Sequence, residues 1–319
     1  MLTVLIAFGA NLLIAIAKTF AAALTGSASM LAEAAHSWAD TGNEVFLITA
    51  EKRGRKPADE AHPLGFGKEA YVWSMFAAVG LLTAGAAVSI LHGIQELGAE
   101  EEAENYLVNY VVLGIAFLLE GTSFLQALRS ARSKAATAGL HPLRFIYRTS
   151  DPTLRAVFFE DAAALVGLVI AAAGVGLHEA TGDPVYDALG SIGVGVMLAV
   201  VAVVLVNRNR EFLIGGAITG PVRERVLAAL LAEGEIEKVS YLHLEFVGPE
   251  RLFVVASVDL VGDDPEPELA VHLEEIEERL RGHAMIENAV LSLSVPEELA
   301  LRLHAREGGS TALGSTAAE

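Results

Sequence analysis

The chain has 319 residues, no cysteine and a net charge of −18, which excludes disulfides and thiolate metal sites and argues against nucleic acid as a partner. Hydrophobic residues make up 53% and charged residues 19%, against roughly 25% charged in a soluble domain. With a mean hydropathy of +0.47 and long uncharged runs that stop at about residue 207, the composition implies a polytopic membrane domain followed by a water-soluble one.

Six runs reach the roughly 20 helical residues needed to cross a hydrocarbon layer of about 30 Å, at 3–24, 29–51, 70–96, 106–129, 154–177 and 184–206. The first has neither a basic leader nor a small-residue cleavage site, so it reads as a retained span. Three connections carry no Lys or Arg: Thr25-Gly26-Ser27, the segment around Glu100-Glu101-Glu102, and His178 to Asp183. The others hold Lys52, Arg53, Arg55, Lys56 and Lys68, then Arg129, Arg132, Lys134, Arg144 and Arg148, then Arg208 and Arg210. The basic excess on one side predicts an integral membrane protein of the cell (inner) membrane with both termini cytoplasmic. The Gly- and Ala-rich runs suit close helix packing in lipid.

From Asn207 onward the sequence is that of a soluble domain. The pattern predicts a helix over 221–233, strands over 242–247 and 251–261 joined at Gly248-Pro249-Glu250, a charged helix over 267–281 and a strand over 289–295. That αββαβ order implies a small α+β domain over 207–303 after a transmembrane domain over 1–206, with 304–319 reading as a disordered tail. The acid run Glu274-Glu275-Ile276-Glu277-Glu278 serves solubility, although an acidic surface also gathers cations.

The second run departs from the pattern, because Glu33, His36, Asp40, Asn43 and Glu44 fall within an arc of roughly 100° on one helix. Ionisable groups inside a span are costly and mark a site. Imidazole and carboxylate one turn apart suit a borderline ion such as zinc. The fifth run adds Glu160 and Asp161, of which Glu160 shares a face with Ala164. If Glu160 faces His36 and Asp40, three ligands converge, with Asp161 or water as a fourth. The plainer alternative is a hydrogen-bonded cluster between helices. Glu120, deep in the fourth run, reads as a proton relay, an orienting group or a structural acid, and Asp187 as a helix-start acid.

Residues 3–300 resemble the cation diffusion facilitator family. The resemblance rests on Ser29-Met30-Leu31-Ala32-Glu33-Ala34-Ala35-His36-Ser37-Trp38-Ala39-Asp40 and on Pro57-Ala58-Asp59-Glu60-Ala61-His62-Pro63-Leu64-Gly65-Phe66-Gly67-Lys68-Glu69. It implies a six-span metal/proton antiporter with a cytoplasmic ferredoxin-like domain, acting as a homodimer. It implies that His36, Asp40 and Glu160 are transport ligands and that the fourth ligand position falls on Ala164, with Asp161 compensating. Asp59 and His62 match a second family site, where Phe66 stands in a histidine's place. Lys68 matches a lysine that pairs with an acid of the partner subunit, whose position falls on Gly215. Of His243, His272 and His283, only His272 matches the soluble-domain zinc ligands.

The expected function is therefore export of a divalent cation, Zn²⁺ first, in exchange for protons by alternating access. Metal ions, protons, lipid and a second copy of the chain are the partners. The metal is cargo, and no prosthetic group is expected. Metal ligands are expected at His36, Asp40, Glu160 and Asp161, with Glu33, Glu120, Asp59 and His62 as further candidates. An oxygen-rich site would suit Mn²⁺, Co²⁺ or Fe²⁺ as well. The rival reading is a membrane-anchored metal sensor or scaffold that does not transport. No nucleophile, water-activating motif or Gly-rich phosphate loop points to an enzyme.

Overall fold

Helix boundaries follow local chemistry. α1 (Leu2–Thr25) stops at Gly26, whose φ of 72° is a left-handed conformation that glycine adopts without strain. Ser27 then caps α2 (Ala28–Gly54), its hydroxyl accepting from Met30 N at 3.2 Å. The computed structural model describes residues 2–97, 106–216, 218, 220–262, 264–295 and 297–303, without the side chains of residues 2–7 and 10. The acidic connection at 100–102 and the tail after 304 therefore lie outside the described residues.

The third apolar run is not one regular helix. α3 (Glu69–Gly80) passes into a π-helical segment, Leu81–Ala87, and resumes as α4 (Val88–Glu96). α5 (Tyr106–Ala138) runs past the expected end at residue 129 and is followed by a short α6 (Pro142–Arg148). Asp151 caps α7 (Pro152–Thr181) by accepting from Leu154 N at 3.0 Å, with Pro152 in the first turn, and α8 (Val185–Leu213) follows Pro184.

Among the described residues, four helical stretches are long and apolar enough to cross a membrane: Glu69–Glu96, α5, α7 and α8. The described apolar part of α1, Asn11–Thr25, is shorter. α2 has the length, at 27 residues, but its polar stripe dilutes its apolarity. Leu118, Val169 and Val200 face outward, as side chains against lipid would.

Buried apolar clusters hold the helical unit together, two of them around α2. Ile14, Ala21, Met30, Leu113, Leu168 and Ala171 join α1, α2, α5 and α7. Ala32, Ala39, Leu81, Ala163, Val194 and Leu198 join α2, the π segment, α7 and α8. Small residues allow this closeness. A Cβ at Gly174 of α7 would lie 2.9 Å from Ser29 Oγ, and one at Gly190 of α8 would overlap the same hydroxyl. Ser29 Oγ donates to Asp187 O at 2.8 Å, while the Asp187 carboxylate accepts from Ser27 Oγ at 2.7 Å and Ser29 N at 3.2 Å.

The chain divides into two compact units, 1–216 with 246–252 and 217–245 with 253–319. The C-terminal elements are α9 (Pro221–Ala232), β1 (Ile236–Gly248), β2 (Arg251–Leu260), α10 (Glu266–Arg281) and β3 (Ile286–Leu293), with sheet order β1-β2-β3. Every second residue of β2 is buried, including Val254, Ala256 and Val258. Leu227 and Leu230 of α9 and Ile276 and Leu280 of α10 are buried too, and Arg279 pairs with Glu233 and Glu235.

Candidate functional site

The polar stripe of α2 points inward. Glu33, His36 and Asn43 are buried, and Asp40 and Glu44 are partly buried. His36 Nε2 lies 3.4 Å from Asp40 Oδ2, one helical turn on. From α7, Glu160 is buried and accepts from Asn43 Nδ2 at 3.1 Å, which links α7 to α2. Its neighbour Asp161 turns toward α5, where it accepts from Ser123 Oγ at 2.8 Å.

A cavity of about 70 Å³ opens among these helices and is lined by Asp40, Glu44, Glu120, Glu160, Asp161 and Ala164. It holds more than one water-sized volume. Three expected ligands, Asp40, Glu160 and Asp161, thus share one wall space with Glu120, and His36 sits against Asp40. Among the described residues, no group of three or more His, Asp or Glu forms a ready-made metal cluster. Several atoms of the lining residues are buried without a hydrogen-bond partner, Ser37 Oγ, Asp40 Oδ1, Glu44 Oε2 and Glu120 Oε2, as are both ring nitrogens of His36 beside Asp40. Unsatisfied buried polar atoms are rare and call for an explanation such as a bound ion.

Glu33 points elsewhere. Lys18 of α1, fully buried, donates to Glu33 Oε2 at 3.0 Å and to Glu120 Oε1 at 2.8 Å. The other Glu33 oxygen lies against α7, where a Cβ at Gly167 would come within 2.5 Å of it. Lys18 was not among the expected site residues, although it is the one charged residue in the first apolar run, which is itself a signal. Glu44 lies on the expected stripe and also meets α1, accepting from Asn11 Nδ2 at 2.6 Å.

The Asp59–His62 pair forms a tight exposed turn between α2 and α3. His62 Nδ1 lies 2.9 Å from Asp59 Oδ1, the two residues form a backbone bridge, and Phe66 packs on the imidazole at 4.1 Å between ring centroids. The hydrogen bond from His62 holds the Asp59 carboxyl below the usual carboxylate range. Phe66 therefore covers one face of His62 where a histidine was the family expectation.

A second buried polar network joins α3, α7 and α8. Arg155 donates to Thr149 O at 2.7 Å and to Asn209 Oδ1, and lies 5.3 Å from the Phe212 ring centroid. Asn209 Nδ2 donates to Ser74 Oγ at 3.0 Å.

Comparison with known proteins places the chain in a family. A family model described as the cation efflux transmembrane domain matches residues 4–214. Metal tolerance protein C4 of Arabidopsis thaliana is 38% identical over 233 residues, covering 73% of this chain and 51% of that protein. The proton-coupled zinc antiporter SLC30A9, mitochondrial, of Xenopus laevis is 35% identical over 245 residues, covering 77% of this chain and 44% of that protein. The cation-efflux pump FieF of Cronobacter sakazakii is 27% identical over 277 residues, covering 84% of this chain and 83% of that one. The chain spans about half the length of the first two relatives. Cation efflux proteins are transporters of divalent metals, not enzymes, and carry no prosthetic group. A helical unit with apolar spans, an inward polar stripe on its second helix and this match over 4–214 make the chain a member of the cation efflux (cation diffusion facilitator) family.

Proposed function

We propose that the protein moves a divalent metal ion, Zn²⁺ first, out of the cytoplasm in exchange for protons. The observation that carries this reading is the cavity walled by Asp40, Glu160 and Asp161, whose edge holds buried nitrogen and oxygen atoms without partners. His36, Asp40 and Glu160 are the ligands, and Asp161 supplies the donor that Ala164 cannot. Imidazole favours zinc over purely oxygen-seeking ions. The similarity to SLC30A9, named as a proton-coupled zinc antiporter, supports the same choice.

Metal and protons compete for the same lone pairs, so loading one expels the other. Alternating access then needs only a swing of packed helices about a fixed site. In this reading α1 and α2 complete a set of six spans, both termini are cytoplasmic, the sheet domain over 207–303 is ferredoxin-like, and two copies associate. The test is zinc flux in proteoliposomes under an imposed pH gradient. Flux should rise with the gradient and vanish in the His36→Ala/Asp40→Ala variant. Flux in that variant equal to the native rate would remove the site.

A further inference from the structure

One buried cation borders the acid cavity. Lys18 has no solvent exposure, and its ammonium bonds Glu33 on α2 and Glu120 on α5. Glu120 also lines the cavity with Asp40, Glu44, Glu160 and Asp161, so the lysine reaches the cavity wall through Glu120. Glu33 stands one turn from His36 on the same helix.

We infer that Lys18 is a built-in counter-cation that ties up one oxygen of Glu33 and one of Glu120, so that neither carboxylate can close on a metal with both oxygens, and thereby sets which ion the cavity accepts. This rests on the transport-site reading above. The argument is one of donor count. An ammonium offers three donors and no acceptor, and here it occupies one oxygen of each of two carboxylates. With one oxygen of each tied to Lys18, the donors left to a cation are the imidazole, the acids of α2 and α7 and the second oxygen of Glu120. Without the lysine, Glu120 would offer both oxygens at the cavity wall, and Glu33 would be free to turn toward it. Oxygen-rich sites with high ligand number favour Mn²⁺, Mg²⁺ and Ca²⁺, whereas imidazole with few ligands favours Zn²⁺. Lys18 is thus a positioning residue for selectivity, acting through Glu33 and Glu120 without touching the metal.

The test is binding of Zn²⁺ and Mn²⁺ by the purified full chain in detergent, read as the ratio of the two affinities. Lys18→Met should shift that ratio toward Mn²⁺ by about tenfold or more, the scale on which groups around a metal site act. Lys18→Arg keeps the charge and should keep the native ratio. Lys18→Met/Glu33→Gln/Glu120→Gln removes the freed oxygens with the lysine and should return the ratio to within about twofold of native. If Lys18→Met does not fold, Lys18→Met/Glu33→Gln, which frees Glu120 alone, should shift the ratio toward Mn²⁺ in its place, and a native ratio in that variant overturns the inference. A folded Lys18→Met with the native ratio, or a triple variant with a shifted one, overturns the inference. Asp40→Asn separates the two claims. If it leaves zinc binding intact, the transport-site reading fails. If it abolishes binding while Lys18→Met leaves the ratio unmoved, only the role of Lys18 fails.

Discussion

Lys18 on α1 donates to Glu120 on α5 at 2.8 Å, joining residues 102 positions apart in the chain. The same ammonium reaches Glu33 on α2, so three helices share one buried cation. In a low-dielectric interior such a triad holds only while every member is present, because removing one partner strands the charge of the others. The acid cavity is therefore bordered by a group that is neither a ligand nor inert packing.

Ala164 is buried and lines the cavity one turn from Glu160. Ala164→Asp should supply a further carboxylate there and tighten zinc binding by about tenfold or more. Isothermal titration of the purified variant is the check. An unchanged affinity would count against the cavity as the metal site.

Gly167→Ala should destabilise the helical unit by about 1–3 kcal/mol, as overpacking commonly does. The new Cβ would lie 2.5 Å from Glu33 Oε1 and 3.5 Å from Met197 Cε. Thermal unfolding in detergent should show a lower midpoint than native, whereas Gly121→Ala, whose nearest neighbour is Leu165 Cδ2 at 3.9 Å, should leave it nearly unmoved.

Arg155→Lys should cost about 1–3 kcal/mol, because a single ammonium cannot reproduce the planar fork that serves two acceptors. The native guanidinium reaches both Thr149 O and Asn209 Oδ1. The same melting experiment reads the loss, and a lysine variant as stable as native would show that one of the two bonds carries no weight.

Acidification should loosen the turn at Asp59. Its carboxyl is held below the usual range by the His62 hydrogen bond, so the folded turn favours the ionised form. That contribution is present at neutral pH and fades as pH falls through the lowered carboxylate range. The protection factor of the His62 amide, whose N–H donates to Asp59 Oδ1 at 2.7 Å, should fall on acidification in the native chain once the exchange rate is referred to the unstructured rate at the same pH. In Asp59→Asn the exchange should lack this carboxylate step.

Much of the helical architecture is legible in the sequence because lipid imposes a simple rule of length and apolarity. α7 and α8 lie within a few residues of their expected limits, apart from α8 running on to Leu213. The π segment within the third run was not legible, since Leu81–Ala87 differs from its flanks in hydrogen bonding and not in composition. β1 begins at Ile236, earlier than residue 242, because its first buried residues, Ile236 and Val239, stand three apart and break the period of two. At the site, the inward stripe of α2 followed from helical geometry, but the division of labour within it did not. Glu33 looks like Asp40 in sequence, and only the approach of Lys18 from α1 sets the two apart.

Ser29 has a mechanical consequence. Its hydroxyl is wedged against Gly174 and Gly190 and bonded to Asp187 O, so α2, α7 and α8 are pinned together at that level. Helices fastened at one point cannot slide lengthwise past one another; they can only pivot. In the transport reading proposed above, the motion that exposes Asp40 and Glu160 in turn would open like a pair of tongs, with its rivet near residue 29 and its jaws at the carboxylates.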